Sequence, residues 1–239
     1  MVFRRTFYGM MIVKVIMAIL ILVFTSLSCF SQRHTTIDLN EIHQKQVRKY
    51  IHSRAIDQMQ DFSLIHASWK KQIKESDFHI NERIFFLKSS LSDVWEFYRH
   101  ANLVKSWNGH SVRFGLLIAK SSNSVFYANT SVCPEVDTGQ VYFLNLGLLK
   151  GLIHIPVAFE IINIDPLTDK LEFSYLEDNK SRGKQSLQFF DNGDGRTRII
   201  HTSYFKSNSR LRDDLLYPYF HKRFIREFHR NMGQLVKKT

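Results

Sequence analysis

His201 and Tyr175 are the residues in this chain best suited to acid–base chemistry. A catalytic imidazole needs burial and a partner that tunes its pKa. Strand alternation places His201 in phase with Ile199 and Phe205, Tyr175 with Leu171 and Phe173, and Tyr142 with Leu144 and Leu146. His201 with Tyr175 or Tyr142 is therefore the pairing to test. The competing reading of each is a half-buried core residue with one hydrogen bond. His154 and Glu160 fall out of phase with Val157 and Phe159 and read as surface residues. Trp107 and His110 follow a short helical stretch and are placed at a mouth.

Other chemistries find no footing. The 11 histidines are scattered without metal-ligand spacing, and no phosphate-cradling glycine loop or Ser-His-Asp signature occurs. "DNGDG" at 191–195 fails as a calcium loop, because Thr202 stands where the bidentate Glu is needed. Cys133 in "SVCPE" reads as a packed thiol. No metal and no cofactor are expected.

These residues need elements to hold them. "YPYFHKRFIREFHRNM", 217–232, is a helix on its spacing. At 100° per residue Tyr217, Phe220, Phe224, Ile225, Phe228 and Met232 share one broad arc, with His221 and Asn231 inside it. Lys222, Arg223, Arg226, His229 and Arg230 fall opposite. So wide an apolar face is expected to pack on a sheet, with a membrane surface as the second reading. Pro218 predicts a kink or a new start, hence a short turn over 210–217 and a long helix to about 237. Before it, apolar alternation marks strands from "FHINERIFFLKSS" (78–90) to "TRIIHTSYFK" (197–206), and Ser92 is placed as the cap of the helix that follows the first strand. Residues 38–73 lack Pro and Gly, repeat apolar residues at steps of three and four, and predict a helical strap with a break near Ser53.

The N-terminus carries Arg4, Arg5 and Lys14, then "VIMAILILVF", then the small-residue stretch "TSLSCFSQ". That order is a secretory signal, and the uninterrupted apolar run is short for a spanning helix. Three fates stay open: cleavage after Ser31, lipidation at Cys29, or retention as an anchor. The formal net charge is +11, so an anionic membrane surface is a candidate partner. Nucleic acid is not, because the last helix lacks base-reading residues and the chain reads as exported.

The element order, with "LKSSLSDVWEFYRHANLVKSW" as its opening, resembles the START-like helix-grip superfamily (SRPBCC, polyketide cyclase type). "YLEDNKSRGKQSLQFF" and "LLYPYFHKRFIREFHRNM" are most similar to an uncharacterised family within it. Tyr175 and Gly183 match that family's hairpin, while Lys184 and Gln185 stand where it has acids. The resemblance implies an α+β fold: a curved antiparallel sheet of six or seven strands wrapped around a long C-terminal helix, with an added N-terminal helical segment. The expected organisation is a signal peptide at 1–31, a helical extension at 32–75 and the helix-grip domain at 76–239. It further implies a pocket between sheet and helix for a small hydrophobic molecule or lipid. The liners expected from the sheet are Tyr142, Tyr175, His201 and Phe205, with Trp107 at the mouth, and those from the helix are His221, Phe224 and Phe228. The expectation is a monomeric, non-catalytic binding protein of the periplasm or exterior. A cyclase- or hydrolase-type enzyme and a ligand-free envelope protein are the alternatives.

Overall fold

The computed structural model describes residues 36–130, 134–177 and 179–237. The expected signal segment with Cys29, and also Cys133, lie outside the described residues.

One eight-stranded antiparallel sheet forms the frame. Its strands are β1 (His79–Leu87), β2 (Val112–Ala119), β3 (Ser124–Tyr127), β4 (Gln140–Leu148), β5 (Ile153–Asp165), β6 (Lys170–Tyr175), β7 (Ser181–Asp191) and β8 (Thr197–Ser207). The spatial order is β1-β8-β7-β6-β5-β4-β2-β3. The sheet is thus one strand larger than the larger expected count. A tight turn joins β7 to β8, where Gly193 and Gly195 adopt φ +77° and +73°, which side chains resist.

Two hydrophobic cores lie on the two faces of this sheet. The inner core joins Phe114, Tyr142, Phe159, Phe173 and Phe189 to the helices. The α-helices among the described residues are α1 (Lys45–Ser53), which belongs to the other face, and α2 (Leu91–His100), α3 (Leu103–Trp107) and α4 (Tyr217–Val236). Ser90, two residues before the expected Ser92, caps α2 by accepting the Asp93 N–H at 3.2 Å. Asn102 caps α3 through Lys105 N–H at 3.0 Å. A π-type turn at Arg212–Leu216 runs without a break into α4 and Pro218 follows just after it, so the expected kink or new start is a widened turn inside one helical run.

The outer core holds Leu116, Ile118, Val141 and Phe143 under the strap. The strap is not the expected helix over 38–73. Only α1 is α-helical, flanked by single 3₁₀ turns at Leu39–Glu41, Ile56–Gln58 and Phe62–Leu64. The physical reason is fit. A rod of that span would measure about 54 Å, against about 30 Å for a strand of β4's length. Folding back lets Ile42, Val47, Ile51 and Phe62 all reach the same sheet face, where they are buried. Each such burial is worth about 1.5–3 kcal/mol. Asp38 and Asp61 assist by accepting the N–H of Asn40 and Ser63, local bonds that compete with helix continuation. The strap then docks on β6, with Ser68 N–H on the Tyr175 carbonyl at 2.6 Å and Glu177 N–H on the His66 carbonyl at 3.1 Å.

Gly115 makes this layer possible. It sits at a bulge in β2, and a Cβ there would meet the Phe143 carbonyl oxygen at 2.8 Å and a Val47 methyl at 2.9 Å. The bulge also shifts the inward phase, so that Phe114 and Leu117 face the inner core while Leu116 and Ile118 face the strap.

Candidate binding cavity

The cleft between sheet and α4 has two unlike halves. In the inner half, aromatic rings fill the space. Trp107 stacks on Phe228 at 4.1 Å between centroids, Tyr142 on Phe159 at 5.0 Å, and Phe159 packs on Phe173 at 4.8 Å. Only about 40 Å³ stays open there. Trp107 is therefore a filler of the closed end and not a mouth residue. The chain emerging from α3 lies under α4, and Asn231 pins it there by donating to the Ser106 and Asn108 carbonyls at 3.1 Å each. Glu227 completes the clamp. Its buried carboxylate accepts Ser111 N–H at 2.8 Å and Val112 N–H at 3.1 Å.

The outer half is a cavity of about 490 Å³. Leu146, Leu148, Ile155 and Val157 of the β4–β5 hairpin form one wall, and Leu216, Phe220 and Phe224 form the opposite one. Tyr175, Tyr217 and His221 supply polar ground between them. The strap closes a further side with Tyr50 and Ser53, and Lys49, Arg54, Lys180 and Arg212 add cationic groups to the lining. No acidic residue lines the cavity among the described residues.

Behind this surface runs a buried hydrogen-bonded chain with Gln185 as its hub. The Gln185 Oε1 accepts from Nε2–H of His201 at 2.6 Å and of His221 at 2.9 Å, and its Nε2 donates to Tyr175 Oη at 2.9 Å. Tyr175 Oη lies 2.6 Å from Tyr217 Oη. With Nε2 of His201 protonated, its Nδ1 accepts from His229 Nε2–H at 2.9 Å, and His229 Nδ1 accepts from the Tyr98 hydroxyl at 2.8 Å. One amide orientation thus sets the tautomers of all three imidazoles.

Burial sets the protonation. It pushes His221 and His229 down to about 3, with Arg83 adding to the effect at His221 and His221 at His229. His201 is held well below the ordinary histidine value by burial, then by the neighbouring His229 and His221. Burial raises Tyr175 to about 12, and Tyr98 and Tyr217 well above the usual phenol range. At neutral pH the chain of bonds is uncharged throughout. Such imidazoles are poor general bases, since the efficient base has a pKa near the working pH. Among the described residues no cluster of three or more His, Cys, Asp or Glu is placed to hold a metal.

The eight residues singled out from the sequence divide by position. Tyr175, His221 and Phe224 line the open cavity. His201 stands behind it through Gln185, and Phe205 stacks on Tyr217 at 3.7 Å. Trp107, Tyr142 and Phe228 belong to the filled half. His229 corrects the helical reading: it is buried, not solvated. It falls about 20° beyond the apolar arc, and Phe85 of β1 stacks over it at 4.0 Å. Glu160 is also buried, because the strap covers its face. It receives Lys120 Nζ at 2.7 Å, and the same ammonium donates to the Ile65 carbonyl. His154 is exposed, as expected, and it borders the cavity. Gln185 and Tyr217 were legible as inward residues by alternation and arc, but their roles needed the partners. Lys184, adjacent to Gln185, faces outward and pairs with Glu172 at 3.0 Å and Glu75 at 2.9 Å. The two departures from the acidic pattern thus serve opposite faces.

Comparison with solved structures identifies the architecture. The chain is similar to the Zhui aromatase/cyclase of Streptomyces sp. R1128, with TM-score 0.50 and 11% identity over 67% of this chain and 94% of that one. It is also similar to norcoclaurine synthase of Thalictrum flavum, solved with dopamine and hydroxybenzaldehyde. There the TM-score is 0.49 and the identity 11%, over 71% of this chain and 94% of that one. A third likeness, to a protein of Thermus thermophilus, has TM-score 0.49 and 10% identity over 67% of this chain and 98% of that one. The chain has the helix-grip fold, an antiparallel sheet against a long C-terminal helix. No family model matches it, and no curated protein does.

Proposed function

We propose that this protein is an exported, non-catalytic binding protein that holds a small apolar or lipid-like molecule in the outer half of the cleft. The observation that carries the reading is the cavity itself: about 490 Å³, apolar on two walls, beside a helix whose other half is packed tight. A volume of that order lies within the range of small-molecule sites. Phe220 and Phe224 would contact the body of the guest. Tyr175, Tyr217 and His221 would face it as neutral polar groups, with Gln185 and His201 holding them in orientation. The depressed histidines and the raised tyrosines favour binding over acid–base turnover, because none titrates near neutrality.

Gentle native mass spectrometry on the purified protein tests this. The expected result is a small-molecule adduct that disappears in Phe224→Arg, which places a charge in the wall. An adduct-free protein that also leaves an apolar fluorescent probe unbound would remove the carrier reading. The N-terminal segment supports export, and the intact mass of the chain recovered from the cell envelope tests that separately. Loss of residues 1–31 or a lipid-modified Cys29 agrees with it, and an unprocessed chain in the cytosolic fraction does not.

A further inference from the structure

We propose that the mouth of the cavity docks on an anionic lipid bilayer. Two apolar projections flank the opening. One is the turn between β4 and β5, where Leu149, Leu152 and Ile153 stand out, Leu152 with 84% of its surface in water. The other is the start of α4, where Leu215 and Tyr219 stand out, Tyr219 at 71%. The bases of both projections line the same cavity, Leu148 and Ile155 on one side and Leu216 and Phe220 on the other. Both therefore border one opening. Exposed apolar groups gathered around a concave site mark a contact surface.

Charge selects the partner. Lys49, Arg54, Lys180 and Arg212 line the opening without a carboxylate among the described lining residues. Lys150 is exposed at the tip of the β4–β5 turn itself. Apolar side chains set beside lysines and arginines suit the headgroup boundary of an anionic bilayer, where the chains enter the acyl layer and the cations meet phosphate. A second apolar patch, Ile84 and Phe86 on the outer face of β1, lacks this pattern. There Arg196 pairs with the Asp194 carboxylate and covers the Phe86 ring, whereas the mouth cations Arg54 and Arg212 are held over the Tyr50 ring and on the Lys180 carbonyl. Docking at the mouth needs no guest in the cavity, so it stands or falls separately from the carrier reading.

Residues 1–31 can hold the full chain on a membrane without engaging the mouth, so the readout must be local. Tryptophan placed by Leu152→Trp or Tyr219→Trp is measured for quenching by brominated phosphatidylcholine in vesicles with and without phosphatidylglycerol. The unsubstituted chain supplies the background of Trp69, Trp95 and Trp107. Both positions are exposed, so two independent variants guard against a misfolded one. The expected result is quenching at both positions in anionic vesicles, little in neutral ones, and none at Phe86→Trp. Lys49→Gln and Lys180→Gln should each weaken the quenching midpoint about 5-fold. Absence of quenching at both mouth positions overturns the proposal, as does equal quenching at Phe86→Trp. A response to polyglutamate with none to lipid also overturns it, in favour of an acidic protein partner.

Discussion

The two halves of the cleft under α4 share one helix and one sheet yet differ in what fills them. Toward the end of α4, Glu227 and Asn231 tie the helix to the loop that follows α3, and four aromatic side chains consume the gap. Toward its start, the helix emerges from a π-type turn and faces a hairpin whose side chains stop short of it. The start of the helix is also tied to the sheet, through Tyr217 to Tyr175 and His221 to Gln185, so the open volume lies to one side of these bonds, toward the β4–β5 hairpin.

Acid should produce the largest effect on this contrast. Because His201, His221 and His229 are depressed in the folded state, their contribution is present above the unfolded value near 6.5. It is lost as pH falls toward the folded values, about 3 for His221 and His229. Each costs roughly 1.4 kcal/mol per pH unit in that window. Urea denaturation at pH 7 and pH 5 should show a loss of several kcal/mol, and His229→Gln should flatten the slope. A stability independent of pH across that range would remove the buried neutral chain.

Phe228→Ala in the filled half should cost about 3–5 kcal/mol, and Phe224→Ala, equally buried, a similar amount, but only the Phe224 change should weaken binding of an apolar probe. Equal losses of probe binding would erase the distinction between the halves. Glu227→Ala should cost about 2–3 kcal/mol, because it leaves the Ser111 and Val112 N–H groups buried without acceptors. Smaller still, Gly115→Ala should cost about 1–3 kcal/mol by overpacking. Its damage should fall on the strap side, read as faster amide exchange in α1 than in α4.

Local periodicity explains what could be read in advance. Alternation of two placed Tyr142, Tyr175 and His201 on the inner face because a strand's facing is fixed by its own backbone. The helical arc placed His221, Phe224 and Phe228 for the same reason. His229 escaped because its cover, Phe85, arrives through the pairing of β1 with β8, a contact between residues more than a hundred apart. Glu160 escaped because the strap lies over it. Trp107 was placed at the wrong end because the path of the chain between α3 and β2 is set by Glu227 and Asn231, which lie on another element.

The sequence by itself determined the order of the strands and helices from β1 onward and the inward placement of Tyr142, Tyr175, His201, His221, Phe224 and Phe228. These follow from backbone geometry and side-chain chemistry within a few residues. Only the tertiary structure decided that the strap folds back over the outer face, that Gln185 gathers three histidines and three tyrosines into one neutral chain, and that one half of the cleft is open. Volume and hydrogen-bond partnership belong to pairs of elements distant in sequence, and no single stretch encodes them.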